Sequence, residues 1–440
     1  MNPLQAVCLS FVLVISAGAL ALMLPFATYE GISLVDALFT ATSATCVTGL
    51  VVMDTYTAFT PFGQAVILLM IQVGGLGLVT LTSFFALTVR RRMGFRDLRL
   101  INESVSSDSF SQSTAVLRLV VRLALFFETL GALLLMLAFI PEYGVKGIWI
   151  SVFISISAFC NAGFDLFGQI APYSSLSGYV DNYYVQCVIM FLIIAGGLGF
   201  LVWLEIGQWR KQRRFTVHAK IVFIFSAMLW FVGALGLLIL EWDNPATLGA
   251  LGIDGKIMAS LFQSVSTRTA GFNTIDLAAC EPISKLLMSF LMFIGAAPGG
   301  TGGGIKITTF AVLFLTVVSV ARGRSECLIN GRRISHQTVY RAFSITVLGV
   351  IAVLITTLFA TTHTTTAVGG VDALFEAVSA FATVGLSVGV TSALTLGAKI
   401  VFMIVMFMGR VGPVTLAISL AARPDKNINK ILPEGHINVG

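Results

Sequence analysis

The sequence predicts an all-α polytopic membrane protein in which four helix–short helix–helix (M-P-M) units surround a pseudo-fourfold axis. Three observations carry this. First, only 11% of the 440 residues are charged and 57% are hydrophobic, where a soluble domain carries roughly 25% charged residues; mean hydropathy is +0.93. That is too little polar surface to coat a water-soluble body. Second, eight apolar stretches reach the ~20 residues that a helix needs to cross a bilayer: 4–27, 63–89, 116–140, 183–207, 219–241, 284–320, 340–361 and 395–421. Third, a shorter apolar stretch lies inside each pair of these, at 34–46, 148–160, 256–268 and 371–382, and each is followed by glycine.

The same composition excludes other classes. A disordered chain needs low hydrophobicity. Six cysteines with no CxxC spacing and no histidine partners exclude a disulfide scaffold, a zinc site and a thioredoxin-type centre. No Ser/His/Asp set, HExxH or paired-carboxylate spacing appears, so the chain is not expected to be an enzyme.

Taken in order, the first stretch has no basic start and no small-residue cleavage site, so 4–26 reads as a retained span rather than a signal peptide. Lysines and arginines then orient the chain. Arg90, Arg91, Arg92, Arg96 and Arg99 follow the second span. Arg210, Lys211, Arg213, Arg214 and Lys220 follow the fourth, and Arg322, Arg324, Arg332, Arg333 and Arg341 the sixth. Arg423, Lys426 and Lys430 follow the eighth. These 18 of 27 basic residues fall on one side, which the positive-inside rule makes cytoplasmic, together with both termini. Without a soluble domain to carry them, these loops are not a nucleic-acid surface.

An internal repeat sets the architecture. The short stretches align on Gly49, Gly163, Gly271 and Gly385, spaced 114, 108 and 114 residues apart, with windows ATCVTGL, AFCNAGF, STRTAGF and AFATVGL. The expected units are 1–99, 100–214, 215–332 and 333–440, the last with a C-terminal tail. A short helix that enters the membrane and stops leaves backbone groups unsatisfied. This is tolerable where they line a water-filled path or contact an ion. Four such segments give rings of carbonyls able to replace a cation's hydration shell, and glycine aims the backbone inward. The expected ion-contacting residues are Val47, Thr48 and Gly49; Asn161, Ala162 and Gly163; Thr269, Ala270 and Gly271; and Thr383, Val384 and Gly385. Thr48, Thr269 and Thr383 add hydroxyls near the path, and Asn161 an amide. Arg268 is expected to point behind it, since a cation lining it would repel the cargo.

The sixth stretch would make a helix of about 55 Å against a ~30 Å core, and it carries the run GAAPGGTGGG at 295–304. No transmembrane helix survives six glycines and a proline in ten residues. Ile305 separates Gly304 from Lys306, so the Walker pattern fails, and no strand precedes it for a dinucleotide fingerprint. We read Gly299, Gly300, Thr301, Gly302, Gly303, Gly304 and Lys306 as an intramembrane gate; a static helix break is the alternative. Arg410, in the last span, either faces the path and hydrogen-bonds this loop or pairs with Glu128 or Glu205. The strings Gly74–Gly77 and Gly196–Gly199, with Gly409 and Gly412, are read as close helix packing.

On these residues the chain resembles the Trk/Ktr/HKT superfamily of potassium transporters, nearest its bacterial KtrB branch. The resemblance rests on DALFTATSATCVTGL (36–50), SAFCNAGF (157–164), TRTAGFNTID (267–276), SAFATVGL (379–386), GGTGGGIK (299–306), MGRVGP (408–413) and the PEG…VG tail (433–440). It implies four M-P-M repeats around one K+ path, a gating loop that meets Arg410, and no covalent cofactor. It also implies Na+-stimulated uptake at the cytoplasmic (inner) membrane, and a homodimer seated on a cytosolic ring of KtrA-like, nucleotide-binding RCK subunits. Plant relatives with serine at the first filter glycine prefer Na+, so glycine at all four positions favours K+. Ala296-Ala297-Pro298 departs from the Ser/Thr that relatives often carry in this loop. The alternative is a Na+-permeable or alternating-access cation symporter.

Overall fold

The computed structural model describes residues 3–77, 113–324, 326–329 and 332–413. The basic clusters at 90–99 and 423–430, the far ends of the second and eighth spans, and the 433–440 motif lie outside the described residues. Fifteen helices follow in order among the described residues. α1 (Pro3–Leu22), α2 (Leu34–Cys46), the single turn α3 (Thr55–Ala58) and α4 (Pro61–Leu76) come first. Next are α5 (Ser113–Tyr143), α6 (Lys146–Cys160), α7 (Tyr183–Gly197) and α8 (Phe200–Gln212). Then come α9 (Val217–Leu240), α10 (Ile253–Ser266), α11 (Pro282–Phe293) and α12 (Ile307–Ala321), and last α13 (His336–Thr362), α14 (Gly370–Ala382) and α15 (Leu396–Val411). A long helix, a short one and a glycine turn thus recur four times along the chain.

The four short helices, α2, α6, α10 and α14, start and stop for local reasons. Ser33 caps α2 by accepting the Asp36 amide at 3.1 Å, and Asp36 sits in the first turn, where the helix dipole favours a carboxylate. α2, α6 and α14 end where Val47, Asn161 and Thr383 turn left-handed. Two of the orphan carbonyls at each end are taken: Val47 N, Asn161 N and Thr383 N reach Ala44 O, Ala158 O and Ala380 O, and Thr48 N, Ala162 N and Val384 N return to Ser43 O (2.8 Å), Ser157 O (2.7 Å) and Ser379 O (2.9 Å). In the third unit the helix ends two residues earlier relative to its glycine, Thr269 keeps the left-handed position, and Ala270 N returns to Ser266 O at 2.9 Å.

Several long stretches are not the continuous spans that hydropathy suggests. Among the described residues three single helices are long and apolar enough to cross a membrane: Val120–Tyr143, Val217–Leu240 and His336–Thr362. The helix that follows each short one breaks instead. α4 stops at Gly77 (φ +78°), α7 and α8 meet at 96° around Gly199 (φ +84°), α11 and α12 are parted by 294–306, and α15 stops at Gly412 (φ +98°). The glycine strings therefore do two jobs. Gly77, Gly199 and Gly412 supply backbone angles closed to other residues. Gly74, Gly196 and Gly409 supply the expected close packing: a β-carbon on them would overlap Thr45 O, Phe159 O and Phe381 O of the adjacent short helix.

Neighbouring units are joined near the N-terminal ends of the short helices. Trp149 Nε1 donates to Gln64 Oε1 (2.9 Å) and Tyr183 Oη to Asp254 (3.1 Å). Lys285 pairs with Asp372 (2.7 Å), and Lys399 with Asp36 (2.6 Å), which joins the last unit to the first. The core lies on this ring, with Phe39, Phe153, Phe159, Phe262, Phe375 and Phe381 fully buried around the short helices.

Candidate functional site: four glycine turns and the loop beneath them

Gly49, Gly163, Gly271 and Gly385 all have positive φ, at +89°, +70°, +84° and +92°. They face one another in cyclic order. A β-carbon on Gly49 would overlap Ala162 O; on Gly163 it would lie 2.9 Å from Ala270 O; on Gly271, 2.5 Å from Val384 O; on Gly385 it would overlap Thr48 O. Each glycine therefore abuts the carbonyl just before the next one, and the ring closes. No residue with a side chain fits at any of the four positions.

Serines brace the turns from behind. Ser43 Oγ accepts Gly49 N and Ser379 Oγ accepts Gly385 N, both at 3.1 Å. Ser157 Oγ donates to Phe164 O at 2.7 Å, and Ser266 Oγ donates to Phe272 O. Sequence reasoning passed over these serines, although Ser43, Ser157 and Ser379 stand six residues before their glycine. It also passed over Glu376. This fully buried carboxylate gathers the segment after Gly385 by accepting Ser387 Oγ (2.5 Å), Val390 N (3.0 Å), Thr391 Oγ1 (3.0 Å) and Val388 N (3.2 Å). The signal available was an acid inside an otherwise apolar short helix.

The side chains beside the glycines divide. Thr48, Thr269 and Thr383 are fully buried, and their hydroxyls have no partner among the described residues. The Asn161 amide is engaged. With nitrogen and oxygen assigned to satisfy both, its nitrogen reaches Ala158 O (3.0 Å) and Ile193 O (3.3 Å). The amide expected near the path thus bonds one carbonyl of its own helix α6 and one of α7.

Outside the ring lies a cavity of about 250 Å³ whose wall includes the four glycines, Asp54, Asp165, Asp276, Asn273 and Ser387. Asp54 is spent structurally, accepting Tyr56 N, Thr57 N and Tyr173 N at 2.9–3.0 Å. Asp165 and Asp276 each accept one amide, from Phe167 (3.0 Å) and Ala278 (2.9 Å). The mouth is acidic, which concentrates cations.

On the other side lies the loop 294–306. Its stem is closed by Gly295 N to Ile305 O (2.5 Å) and Ile307 N to Ala296 O (3.2 Å). It docks on the broken α7–α8 pair through Ala297 N to Gly197 O (3.0 Å), Thr301 N to Gly196 O (3.2 Å) and Phe200 N to Gly299 O (3.1 Å). Lys306 Nζ donates to Gly302 O at 2.6 Å, within the loop. A β-carbon on Gly302 or Gly303 would overlap the Thr269 or Thr383 hydroxyl, so the loop sits against the ring. Arg410 donates to Thr301 O of the loop and to Gly74 O and Gly75 O at the end of α4. It forms no ion pair among the described residues, and Glu128 is held by Gln72 Nε2 at 2.9 Å. Arg268 Nη2 donates to Gly295 O at 2.8 Å, which ties the third window to the loop stem.

Comparison with known proteins gives the family. The family model described as TrkH, cation transport protein, matches residues 1–431. The chain is 38% identical over 440 residues to Ktr system potassium uptake protein B of Bacillus subtilis, covering 100% of this chain and 97% of that one. It is 38% identical over 439 residues to the protein of the same name from Vibrio alginolyticus (99% and 94%). It is 35% identical over 449 residues to potassium/sodium uptake protein NtpJ of Enterococcus hirae (100% and 98%). The crystal structure of the potassium transporter TrkH from Vibrio parahaemolyticus superposes with a TM-score of 0.73 at 18% identity, covering 96% of this chain and 86% of that one, and so shares the fold. The chain belongs to the TrkH family of cation transport proteins: a polytopic helical membrane transporter and not an enzyme.

Proposed function

We propose that the chain takes up K+ across the cytoplasmic membrane through a filter made by the four glycine turns, with the cation as cargo and no other cofactor. The observation that carries this is the closed ring of glycines, each against the carbonyl before the next. Main-chain oxygens at 47–49, 161–163, 269–271 and 383–385 replace the hydration shell of a passing ion. The relatives named potassium uptake proteins support K+ as that ion. In this reading the units 1–99, 100–214, 215–332 and 333–440 each give one turn to the path. The loop 299–304, with Lys306, closes the path from the cytoplasmic side, and Arg410 holds it shut.

The rest of the reading follows the family. The chain works as a homodimer on a cytosolic nucleotide-binding RCK ring, as its likeness to proteins named for a Ktr system suggests, with Na+ stimulating uptake and both termini in the cytoplasm. A Na+-permeable variant of the same path is the second reading, favoured by the relative named for potassium and sodium uptake. Flux in proteoliposomes under separate K+ and Na+ gradients tests both. K+ uptake several-fold above Na+ supports the first; equal rates or Na+ preference replace it with the second. Absence of either flux from protein that retains its fold overturns the reading.

A further inference from the structure

The segments that follow the four glycines wall the mouth, and they are not held alike. The first and second are tied to each other, Asp54 accepting Tyr173 N at 3.0 Å. The second and third are tied by Asn273 N to Ser175 Oγ (3.2 Å) and Leu176 N to Asn273 O (3.0 Å). The fourth, 385–391, makes no hydrogen bond to another unit among the described residues. Yet Gly385, Ser387, Val388 and Gly389 form part of the wall.

What holds this segment is a single carboxylate. Glu376 is fully buried on α14 and pairs with no cation among the described residues. Its Oε1 accepts Ser387 Oγ (2.5 Å), Val390 N (3.0 Å), Val388 N (3.2 Å) and Thr391 N (3.3 Å), and its Oε2 accepts Thr391 Oγ1 (3.0 Å). Among the described residues none of these three amides reaches a backbone carbonyl. A carboxylate that gives up water on burial needs such donors, and bonds to an ionised acceptor are about twice as strong as neutral ones. Ser379 stands three residues on, on the same face of α14, and accepts Gly385 N at 3.1 Å. One helix face therefore grips both ends of 385–391. At the same offset, nine residues before the glycine, the other units carry Thr40, Ile154 and Phe262. The acid stands only where the neighbouring segments give no support.

We propose that Glu376 is a positioning residue for ion selection: by gripping 387–391 it fixes the Gly385 turn and keeps the fourth side of the ring at its spacing from the other three. This rests on the ring being the filter; Glu376 itself touches no ion. When the grip is lost no other unit restrains the segment, and the ring loosens on that side. K+ binding and K+/Na+ discrimination then fall together, whereas the maximal rate holds.

Tracer uptake into proteoliposomes at varied K+ and Na+ tests this on the full-length protein with Glu376→Gln, Thr391→Val and Gly271→Ser, each checked for its fold. Glu376→Gln keeps the reach but neutralises the acceptor. Half-saturating K+ is expected to rise about three- to tenfold and the K+/Na+ ratio to fall, with the maximal rate within about twofold of the parent. Thr391→Val is isosteric, removes one donor and keeps the charge; the same shifts are expected at smaller size. A lower maximal rate with half-saturation and ion ratio unchanged means a structural role only and overturns the proposal. A shift in Glu376→Gln without one in Thr391→Val assigns the effect to charge and overturns the grip. Parent-like behaviour in both also overturns it; if Gly271→Ser then shifts both quantities, the filter reading stands and only the role of Glu376 falls. Should Glu376→Gln fail to fold, Thr391→Val decides.

Discussion

Gly271→Ser perturbs the ring without touching the loop. Two costs follow from the geometry. A side chain at φ +84° carries left-handed strain of about 1–2 kcal/mol. Its β-carbon also starts 2.5 Å from Val384 O and 2.9 Å from Gly163 Cα, both backbone, so neither can swing aside as a side chain would. Both strands must retreat, which widens the ring and tilts the Val384 carbonyl from the ion. One or two kcal/mol lost from the K+-bound state is a factor of about 5–30 in affinity. Na+, smaller and more strongly hydrated, gains relative access to a wider ring. Tracer uptake into proteoliposomes at varied K+ and Na+ reads this directly: the half-saturating K+ concentration rises by about that factor, and the K+/Na+ ratio falls. If Gly271→Ser folds normally and both quantities match the parent, the ring is not the ion-contacting element and the proposal fails.

The other predictions address separate parts. Arg410→Ala removes the donors to Thr301 O, Gly74 O and Gly75 O; uptake should quicken several-fold with K+/Na+ preference unchanged, and a changed preference in the same flux assay would place Arg410 in the filter instead. Asp276→Asn should lower uptake about twofold at low ionic strength, with the effect fading at high salt as the acidic mouth is screened. Glu376→Gln should cost about 1.5–3 kcal/mol, seen as a lower unfolding midpoint, because the amide nitrogen it introduces meets donors. Glu241, just beyond α9, is partly opposed by burial, but bonds from Thr247 Oγ1 (2.7 Å), Asn244 Nδ2 (2.7 Å) and Glu281 N (2.9 Å) hold its carboxyl below the ordinary value of 4.5. Its stabilisation is therefore full above pH 4.5 and disappears as pH falls through the lower folded value. Glu241→Gln should lower the unfolding midpoint at pH 7 and match the parent in strong acid.

Much of this was legible because glycine's constraint is local and repeats. The fixed offset of Gly49, Gly163, Gly271 and Gly385 placed the short helices to within about three residues, since a left-handed cap must precede each turn. The break at 294–306 was equally plain from its composition. The helix ends before Gly77 and Gly412 and the bend at Gly199 were not, because one glycine inside an apolar run is compatible with straight packing. Only the approach of the short helix distinguishes Gly74, which packs, from Gly77, which turns. The engagement of Asn161 was hidden for a similar reason: the identity of a cap residue does not fix where its side chain goes. The carbonyl partners of Arg410 depend on α4 ending at Leu76, which hydropathy extended to 89.

The contacts between ring and loop explain why the loop needs its glycines where it has them. Gly302 and Gly303 lie against the hydroxyls of Thr269 and Thr383, which come from the third and fourth windows. Arg268, from the third window, holds Gly295 at the loop's start, while Arg410, from the fourth unit, holds Thr301 at its middle. Thr301 Oγ1 reaches Phe159 O, four residues before the second glycine. The loop is thus tied to three of the four units at once, by its own carbonyls at Gly295 and Thr301 and by the Phe159 carbonyl of α6. Moving it requires those bonds to break together, and widening the ring would shift its supports. Under the proposed function the gate meets the filter by contact, so occupancy of the ring and opening of the loop would share one free energy. The K+ concentration at half-saturation should therefore shift in Arg410→Ala even though the ion preference does not. An unshifted half-saturation beside a faster rate would mean that the loop opens independently of the ring.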